Sequence, residues 1–328
     1  MRRAFVTGGS GFVGRGLLEG LAARGVPAVA LARSDAAAAA CAGRGARVVR
    51  GDLDDEGLLA GAMQGCDVVF HCAAHVVEWD DPAIFNRVNV EGTARVLAAA
   101  RQAGVARLVH VSTEATLVGG GPIVQADETR ALPERPLGMY PASKAAAERL
   151  VRDAAAGLHT VIVRPRFVWG AGDTSLLPQI MEAVRTGRFK WISGGRHLTS
   201  TCHVRNLIEG MLLAAERGAR GEAYFLTDGP PVEFRKFLGD LLATQGFRIG
   251  DANISRGVAG VVAAVGEAVG KLSSYRWRPP ITRMTLKLFG EEVTVRDDRA
   301  RRELGYVGRV SREEGLDELR RARAATVS

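Results

Sequence analysis

The chain has 328 residues, 47% hydrophobic and 24% charged, with a formal net charge of +8. That length suits roughly two domains, or one large domain with a lobe, and the composition excludes a disulfide-stapled miniprotein and a disordered chain. The positive excess is arginine interleaved with acids, as in "RDDRARRELGYVGRVSREEGLDELRRARA"; solvated faces are expected, and no nucleic-acid partner.

The first residues, "MRRAFVTGG", pass at once into an apolar strand and then glycine, without the apolar stretch and cleavage site of a signal peptide. The cysteines Cys41, Cys66, Cys72 and Cys202 form no C-x-x-C pair, so a reducing compartment, and hence a cytoplasmic protein, is expected. "TGGSGFVG" then places Gly8, Gly11 and Gly14 between the first strand and the first helix. Such spacing gives a tight turn at Gly8, close backbone approach to a pyrophosphate at Gly11 and close helix–strand packing at Gly14. The free N–H groups of Phe12 and Val13, at the helix start, face the anion. The second strand, "PAVALARSD", carries Arg33 at its tip and no acid. An arginine there accepts a 2′-phosphate, so NADP(H) is favoured as cofactor, while Asp35 keeps NAD(H) open.

Further strands are expected at "ARVVRGD", "CDVVFHCAA", "RLVHVST" and "HTVIVRP", with "EAYFLTD" later. Between them lie the helical stretches "RGLLEGLAARG", "EGTARVLAAARQAG" and "SKAAAERLVRDAAAG", each expected to stop on a left-handed glycine, at Gly25, Gly104 and Gly157. This alternation predicts an α/β fold: a Rossmann-type, doubly wound parallel sheet with a smaller C-terminal substrate-binding lobe. The dinucleotide-binding domain is drawn as 1–170 with 204–228 returning to it, and the lobe as 171–203 with 229–328. In the lobe, "GVAGVVAAVGEAVGKL" from Gly257 is apolar but carries Glu267 and is too short to span a bilayer. A buried helix or pocket wall is expected there, with a membrane-surface segment, and so peripheral membrane contact, as the alternative. His71, Cys72 and His75 sit at a strand end with no companion ligand cluster, so no metal site is expected.

"MYPASKAAAERLV" sets Tyr140 and Lys144 four residues apart, on one face of a helix. A phenol is a poor proton donor or acceptor near neutral pH, and an adjacent ammonium stabilises the phenolate and lowers its pKa. A carbonyl under reduction gathers negative charge and needs a second donor; Thr113, where the strand "RLVHVST" ends, supplies it, with Ser112 as a local turn hydroxyl.

In order, "TGGSGFVG", "RGDLDD", "HCAA", "VNVEGT", "VST", "YPASK" and "RPRFVWGAGD" resemble an extended short-chain dehydrogenase/reductase. Within that superfamily the chain is similar to the 3β-hydroxysteroid dehydrogenase branch, which includes sterol-4-carboxylate 3-dehydrogenases and 2-alkyl-3-oxoalkanoate reductases. The resemblance implies Thr113, Tyr140 and Lys144 as the catalytic set, with Lys144 also holding the nicotinamide ribose. It implies Asp52 and Leu53 at the adenine, Ala73 and Ala74 along the cofactor, Pro165 to Val168 near the carboxamide, and Asn89 supporting the cofactor from behind. The chain departs from many relatives at "CHVRN", where Arg205 stands in place of an aspartate.

The expected activity is hydride transfer between a nicotinamide and a secondary alcohol or ketone of a hydrophobic small molecule, sterol-like or a 3-oxo acid. Trp79, Phe167 and Trp169 are the candidate substrate contacts. A nucleotide-sugar epimerase or dehydratase is one alternative, although Glu114 is followed by Ala115 and only half of a dehydratase acid pair is present. A non-catalytic NADPH-binding sensor is another. A homodimer is compatible with the superfamily.

Overall fold

A computed structural model describes residues 1–327. Seven short segments of apolar, largely β-branched residues form parallel strands: β1 (Ala4–Thr7), β2 (Ala28–Ala32), β3 (Arg47–Arg50), β4 (Val68–His71), β5 (Arg107–Val111), β6 (His159–Pro165) and β7 (Ala223–Leu226). They assemble in the order β7-β6-β5-β4-β1-β2-β3. Every residue of β1, β2, β4 and β7 is buried, as continuous apolar runs require when helices cover both faces. Only the edge strand β3, "RVVR", is exposed at both ends, and its arginines suit an edge that must not pair further.

Helices α1 (Phe12–Ala23), α2 (Asp35–Ala42), α3 (Glu56–Met63), α4 (Gly92–Gln102), α5 (Met139–Asp153) and α6 (Val204–Arg217) flank the sheet. On one face Leu17, Leu18 and Leu21 of α1 meet Ile208 and Leu212 of α6. The approach is close: a Cβ on Gly20 would lie 2.8 Å from the Ile208 side chain. On the other face Leu59, Met63, Val96, Leu97 and Val151 pack together. The alanine run Ala36–Ala40 is helical because Ser34 accepts the Ala37 N–H at 3.2 Å and so starts α2. Gly25 and Gly104 stop their helices at φ +66° and +67°. Gly157 does not: a 3₁₀ turn over Ala154–Ala156 already ends α5, and Gly157 sits at φ −118°.

Beyond β6 the chain builds a lobe around Phe167, Trp169, Trp191, Phe234 and Phe237. A small four-stranded sheet supports it, from Val232–Glu233, Leu198–Thr199, Val293–Val295 and Ile123–Ala126. Helices α7 (Arg256–Leu272) and α8 (Arg283–Phe289) complete the described lobe together with neighbouring helices. The expected burial of α7 is overturned. Its small residues Ala259, Ala263, Gly266 and Gly270 face inward, and its valines face outward. Gly266 lies against Pro279 and Gly270 against Trp79, where larger side chains would collide. No helix among the described residues is long and apolar enough to cross a membrane.

Candidate functional site

The order of strands reverses between β1 and β4, and in open parallel sheets ligands sit beyond the strand carboxyl ends at such a point. Gly8 adopts φ +69°, and a Cβ there would lie 2.6 Å from the Ala73 nitrogen. On Gly14 a Cβ would lie 2.1 Å from the Gly8 oxygen. Gly11 precedes α1 with no side-chain cap, and its N–H donates to the Gly8 carbonyl at 3.0 Å. The first N–H groups of α1, at Phe12 and Val13, therefore have no intrahelical acceptor. A loop that only glycine can follow, opening on an uncapped helix start, fits a dinucleotide diphosphate. Gly14→Ala is expected to displace the Gly8 carbonyl and weaken nicotinamide dinucleotide binding about tenfold or more, read by fluorescence titration; an unchanged Kd would contradict this cradle.

At the tip of β2, Arg33 is 69% exposed at its side chain, with Nη1 3.7 Å from Oδ2 of Asp52. Asp35 points into solvent and pairs with Arg50 at 3.2 Å. Asp52 accepts the Leu53 N–H at 2.7 Å, and Leu53 is buried where a Cβ on Gly92 would lie 2.9 Å from it. After β4, the Ala73 N–H donates to Thr7 Oγ1 at 3.2 Å, and Ala74 follows. Asn89 is buried and acts as a clasp. Its Oδ1 accepts the His75 N–H at 2.6 Å, while Nδ2 donates to the His75 carbonyl at 3.0 Å and to Ser143 Oγ on α5 at 2.9 Å. His71 lies between Thr7 and Thr93, at 2.7 and 2.9 Å, and burial holds its pKa down to about 3. Among the described residues no cluster of three or more His, Cys, Asp or Glu is placed to hold a metal.

Thr113 and Tyr140 meet beyond the end of β5, and Lys144 follows Tyr140 by one turn of α5. Lys144 is 2% exposed; its Nζ donates to the Val111 carbonyl at 2.7 Å and lies 3.4 Å from His110 Nε2. Burial lowers its pKa to about 8, against the opposing pull of Glu148 and Cys72. Tyr140 packs against the apolar cluster of Leu117, Met284 and Leu288. Burial pushes its phenol above the usual value, the Glu114 carboxylate adds to the rise, and the Thr113 hydroxyl opposes it. The direction is opposite to the expected lowering, because the Lys144 ammonium is directed to a backbone carbonyl and does not offset the burial.

Two carboxylates stand behind this trio: Glu114, read in the sequence only as half of a dehydratase acid pair, and Glu148, which went unrecognised there. Glu114 accepts the Thr113 hydroxyl at 2.7 Å and a proton of Arg166 Nη1 at 3.0 Å, all three residues being buried. Glu148, one turn beyond Lys144, accepts from Ser112 Oγ at 2.8 Å, Arg164 Nε at 3.0 Å and Arg152 Nε at 3.2 Å. Burial alone would raise its pKa; the charges and hydrogen bonds of Arg164, Ser112 and Arg152 lower it. Ser112 thus bonds a helix 36 residues away and is not a local turn hydroxyl. The signal available was the acid at four residues from Lys144, a spacing that puts both on one helix face.

The candidate substrate residues do not gather around Tyr140 as a group. Phe167 touches Phe234, Phe237 and Phe289, and Trp169 is 1% exposed with its indole N–H on Asp228 at 2.7 Å. Both are packing residues of the lobe core. Trp79 is buried against Tyr275 and Gly270, with its indole nitrogen unpartnered. Pro165 ends β6, and Val168 pairs with Cys202. Arg205, the departure noted in "CHVRN", is exposed and forms an ion pair with Glu318.

Comparison with known proteins gives this arrangement its context. A family model described as the NAD dependent epimerase/dehydratase family matches residues 4–226. The chain is 54% identical, over 98% of its length and 96% of the relative's, to a 4-hydroxy-2-methyl-3-oxo-4-farnesyl-3,4-dihydroquinoline-1-oxide ketoreductase of Stigmatella aurantiaca. It is 36% identical, over 98% of its length and all of the relative's, to a 2-alkyl-3-oxoalkanoate reductase of Stenotrophomonas maltophilia. Among solved structures it resembles MoeE5 in complex with UDP-glucose and NAD, with a TM-score of 0.74, 26% identity and coverage of 99% of this chain and 100% of that one. The glycine cradle, the Tyr140–Lys144 helix and these similarities agree: the chain belongs to the NAD dependent epimerase/dehydratase family, that of the extended short-chain dehydrogenases/reductases, and is an oxidoreductase.

Proposed function

We propose that the protein is an NADPH-linked ketoreductase acting on a ketone within a hydrophobic, alkyl- or prenyl-substituted small molecule. The observation that carries this reading is the pairing of Thr113 with Tyr140 beside the apolar surface of Leu117, Met284 and Leu288, with Lys144 one helical turn beyond Tyr140. The Tyr140 hydroxyl is a proton donor of the kind that reduction of a carbonyl requires. The names of the two similar reductases support the same direction and an apolar substrate.

In this reading a bound nicotinamide dinucleotide supplies the hydride. Thr113, its hydroxyl turned from Glu114 to the substrate, donates a hydrogen bond to the carbonyl oxygen and polarises it, and the Tyr140 hydroxyl gives its proton to that oxygen as negative charge develops. Lys144, carrying a cationic ammonium below about pH 8, stabilises the phenolate left behind and holds the nicotinamide ribose. Phe12, Val13, Asp52, Leu53, Ala73, Ala74, Pro165 and Val168 line the dinucleotide, and Asn89 fixes the wall behind it. Residues 1–170 with 204–228 form the cofactor half, apart from Ile123–Ala126, Phe167 and Trp169, which pack into the lobe, and 171–203 with 229–328 form the rest of the substrate lobe.

Arg33 is the proposed ligand of the 2′-phosphate. Arg33→Ala is expected to raise the KM for NADPH by about tenfold to a hundredfold, the range of a charge-assisted hydrogen bond, and to change that for NADH less than about threefold. Equal effects on the two cofactors would remove the assignment. The activity itself is tested by following NADPH oxidation with a prenylated quinolone ketone, a 2-alkyl-3-oxo acid, a 3-oxosteroid and UDP-glucose. Turnover of an apolar ketone is expected, and activity confined to the nucleotide sugar would overturn the reading.

A further inference from the structure

On α7, Val258, Val261, Val262, Val265, Val269 and Leu272 are 37–87% exposed. They recur at three- and four-residue intervals, so at 100° per residue they occupy one arc about 100° wide. Trp277, just beyond the helix, is 43% exposed. A continuous aliphatic stripe of this kind in water is costly unless something covers it. We propose that this face is a membrane-docking surface: α7 lies in the plane of an anionic lipid bilayer, with its valines at the acyl boundary and the cations beside them at the phosphate headgroups.

Charge complementarity selects this occupant. Between Arg256 and Arg283 the chain carries five basic residues, Arg256, Lys271, Arg276, Arg278 and Arg283, and one acid, Glu267. Glu267 is turned away from the stripe and bound by Arg283, whose backbone N–H and Nε donate to it at 2.7 and 2.8 Å. Lys271, Arg276 and Arg278 are exposed, and among the described residues none of them has a carboxylate within ion-pair distance. Free cations, an aliphatic arc and a tryptophan at the edge are the components of an in-plane interfacial helix. A second copy fits less well: in a two-fold contact the patch meets itself, and it offers no free acid to its own cations.

The docking surface is joined to the catalytic helix. The Glu267–Arg283 pair fastens α7 to α8, and Met284 of α8 sits where a Cβ on Gly138, the residue before α5, would lie 3.0 Å away. Docking of α7 is therefore linked through α8 to the residue that precedes the tyrosine helix. The inference goes beyond the ketoreductase reading and is tested without turnover.

The experiment is flotation of the full chain with vesicles of phosphatidylcholine alone and with about one third phosphatidylglycerol, for wild type, V261D/V265D and K271E/R276E/R278E. All substituted positions are exposed, and NADPH binding together with thermal unfolding shows that the variants fold. Wild type is expected to float with the anionic vesicles at low salt. The aspartate pair is expected to lower the bound fraction at least about tenfold, and the glutamate triple to abolish the difference between the two vesicle types. Wild type remaining unbound, or V261D/V265D floating equally well, would overturn the proposal. So would V261D/V265D dissociating a dimer in sedimentation without any vesicle binding, which would assign the face to a second copy. Loss of reductase activity in any assay leaves flotation unaffected, so the two readings fail separately.

Discussion

Tyr140→Phe is expected to lower kcat about 10³-fold, the range of a lost general acid, while the NADPH Kd stays within about twofold. The phenol is hydrogen-bonded to the Thr113 hydroxyl and packs on the apolar side of the site, and phenylalanine keeps its ring packing against Met284 and Leu288. What is removed is the transferable proton alone. Steady-state kinetics with an apolar ketone, paired with nucleotide titration, separates chemistry from binding. A variant retaining more than about a tenth of wild-type kcat would show that another group delivers the proton; a wild type that binds NADPH and turns over none of the ketones would return the protein to the sensor reading.

The second large effect belongs to stability. Glu148 and Arg164 are both essentially inaccessible to water, at 0% and 1% exposure. Removing the carboxylate as Glu148→Ala strands the guanidinium in the core and is expected to cost about 3–5 kcal/mol. It also frees Ser112 at the end of β5, next to Thr113. The measurement is chemical or thermal unfolding, and the control is E148L/R164M, which removes both charges and is expected to recover most of the loss because apolar replacements of a buried pair are close to neutral. If the single variant unfolds like wild type, Arg164 finds relief elsewhere and the network is dispensable. If the double variant is as unstable as the single one, packing and not charge is what Glu148 supplies.

The contrast between these two sites explains what was readable from the chain alone. Tyr140 and Lys144 lie one helical turn apart, and Gly8, Gly11 and Gly14 lie within one loop, so local spacing carries their meaning. The strands were legible for a similar reason: β1, β2, β4 and β7 are buried throughout and read as unbroken apolar runs. Glu114 finds Arg166 across 52 positions, and Glu148 finds Arg164 across 16. No short-range pattern records such pairs. The lobe was expected, but its internal arrangement escaped for two reasons. Its strands at Leu198–Thr199 and Val232–Glu233 have two residues each, too few for a period. On α7 an aliphatic sequence suggested burial, while the informative signal was the spacing of Ala259, Ala263, Gly266 and Gly270, which marks the face a neighbour approaches. Phe167 and Trp169 stand beside a recognisable motif, but their faces are assigned by Phe234, Phe237 and His203 from distant segments.

Asn89 uses its acceptor and both donors in a single buried clasp, two bonds on the His75 backbone and one on Ser143 of α5. Aspartate of the same size lacks the donors, and leucine lacks every polar atom. Opening the loop after β4 would leave two of these bonds unmade, and opening the head of α5 the third, in each case with Asn89 still in a water-poor interior. Local fluctuation of one segment without the other is suppressed, and the nucleotide wall and the tyrosine helix behave as one cooperative unit, protected together and released together.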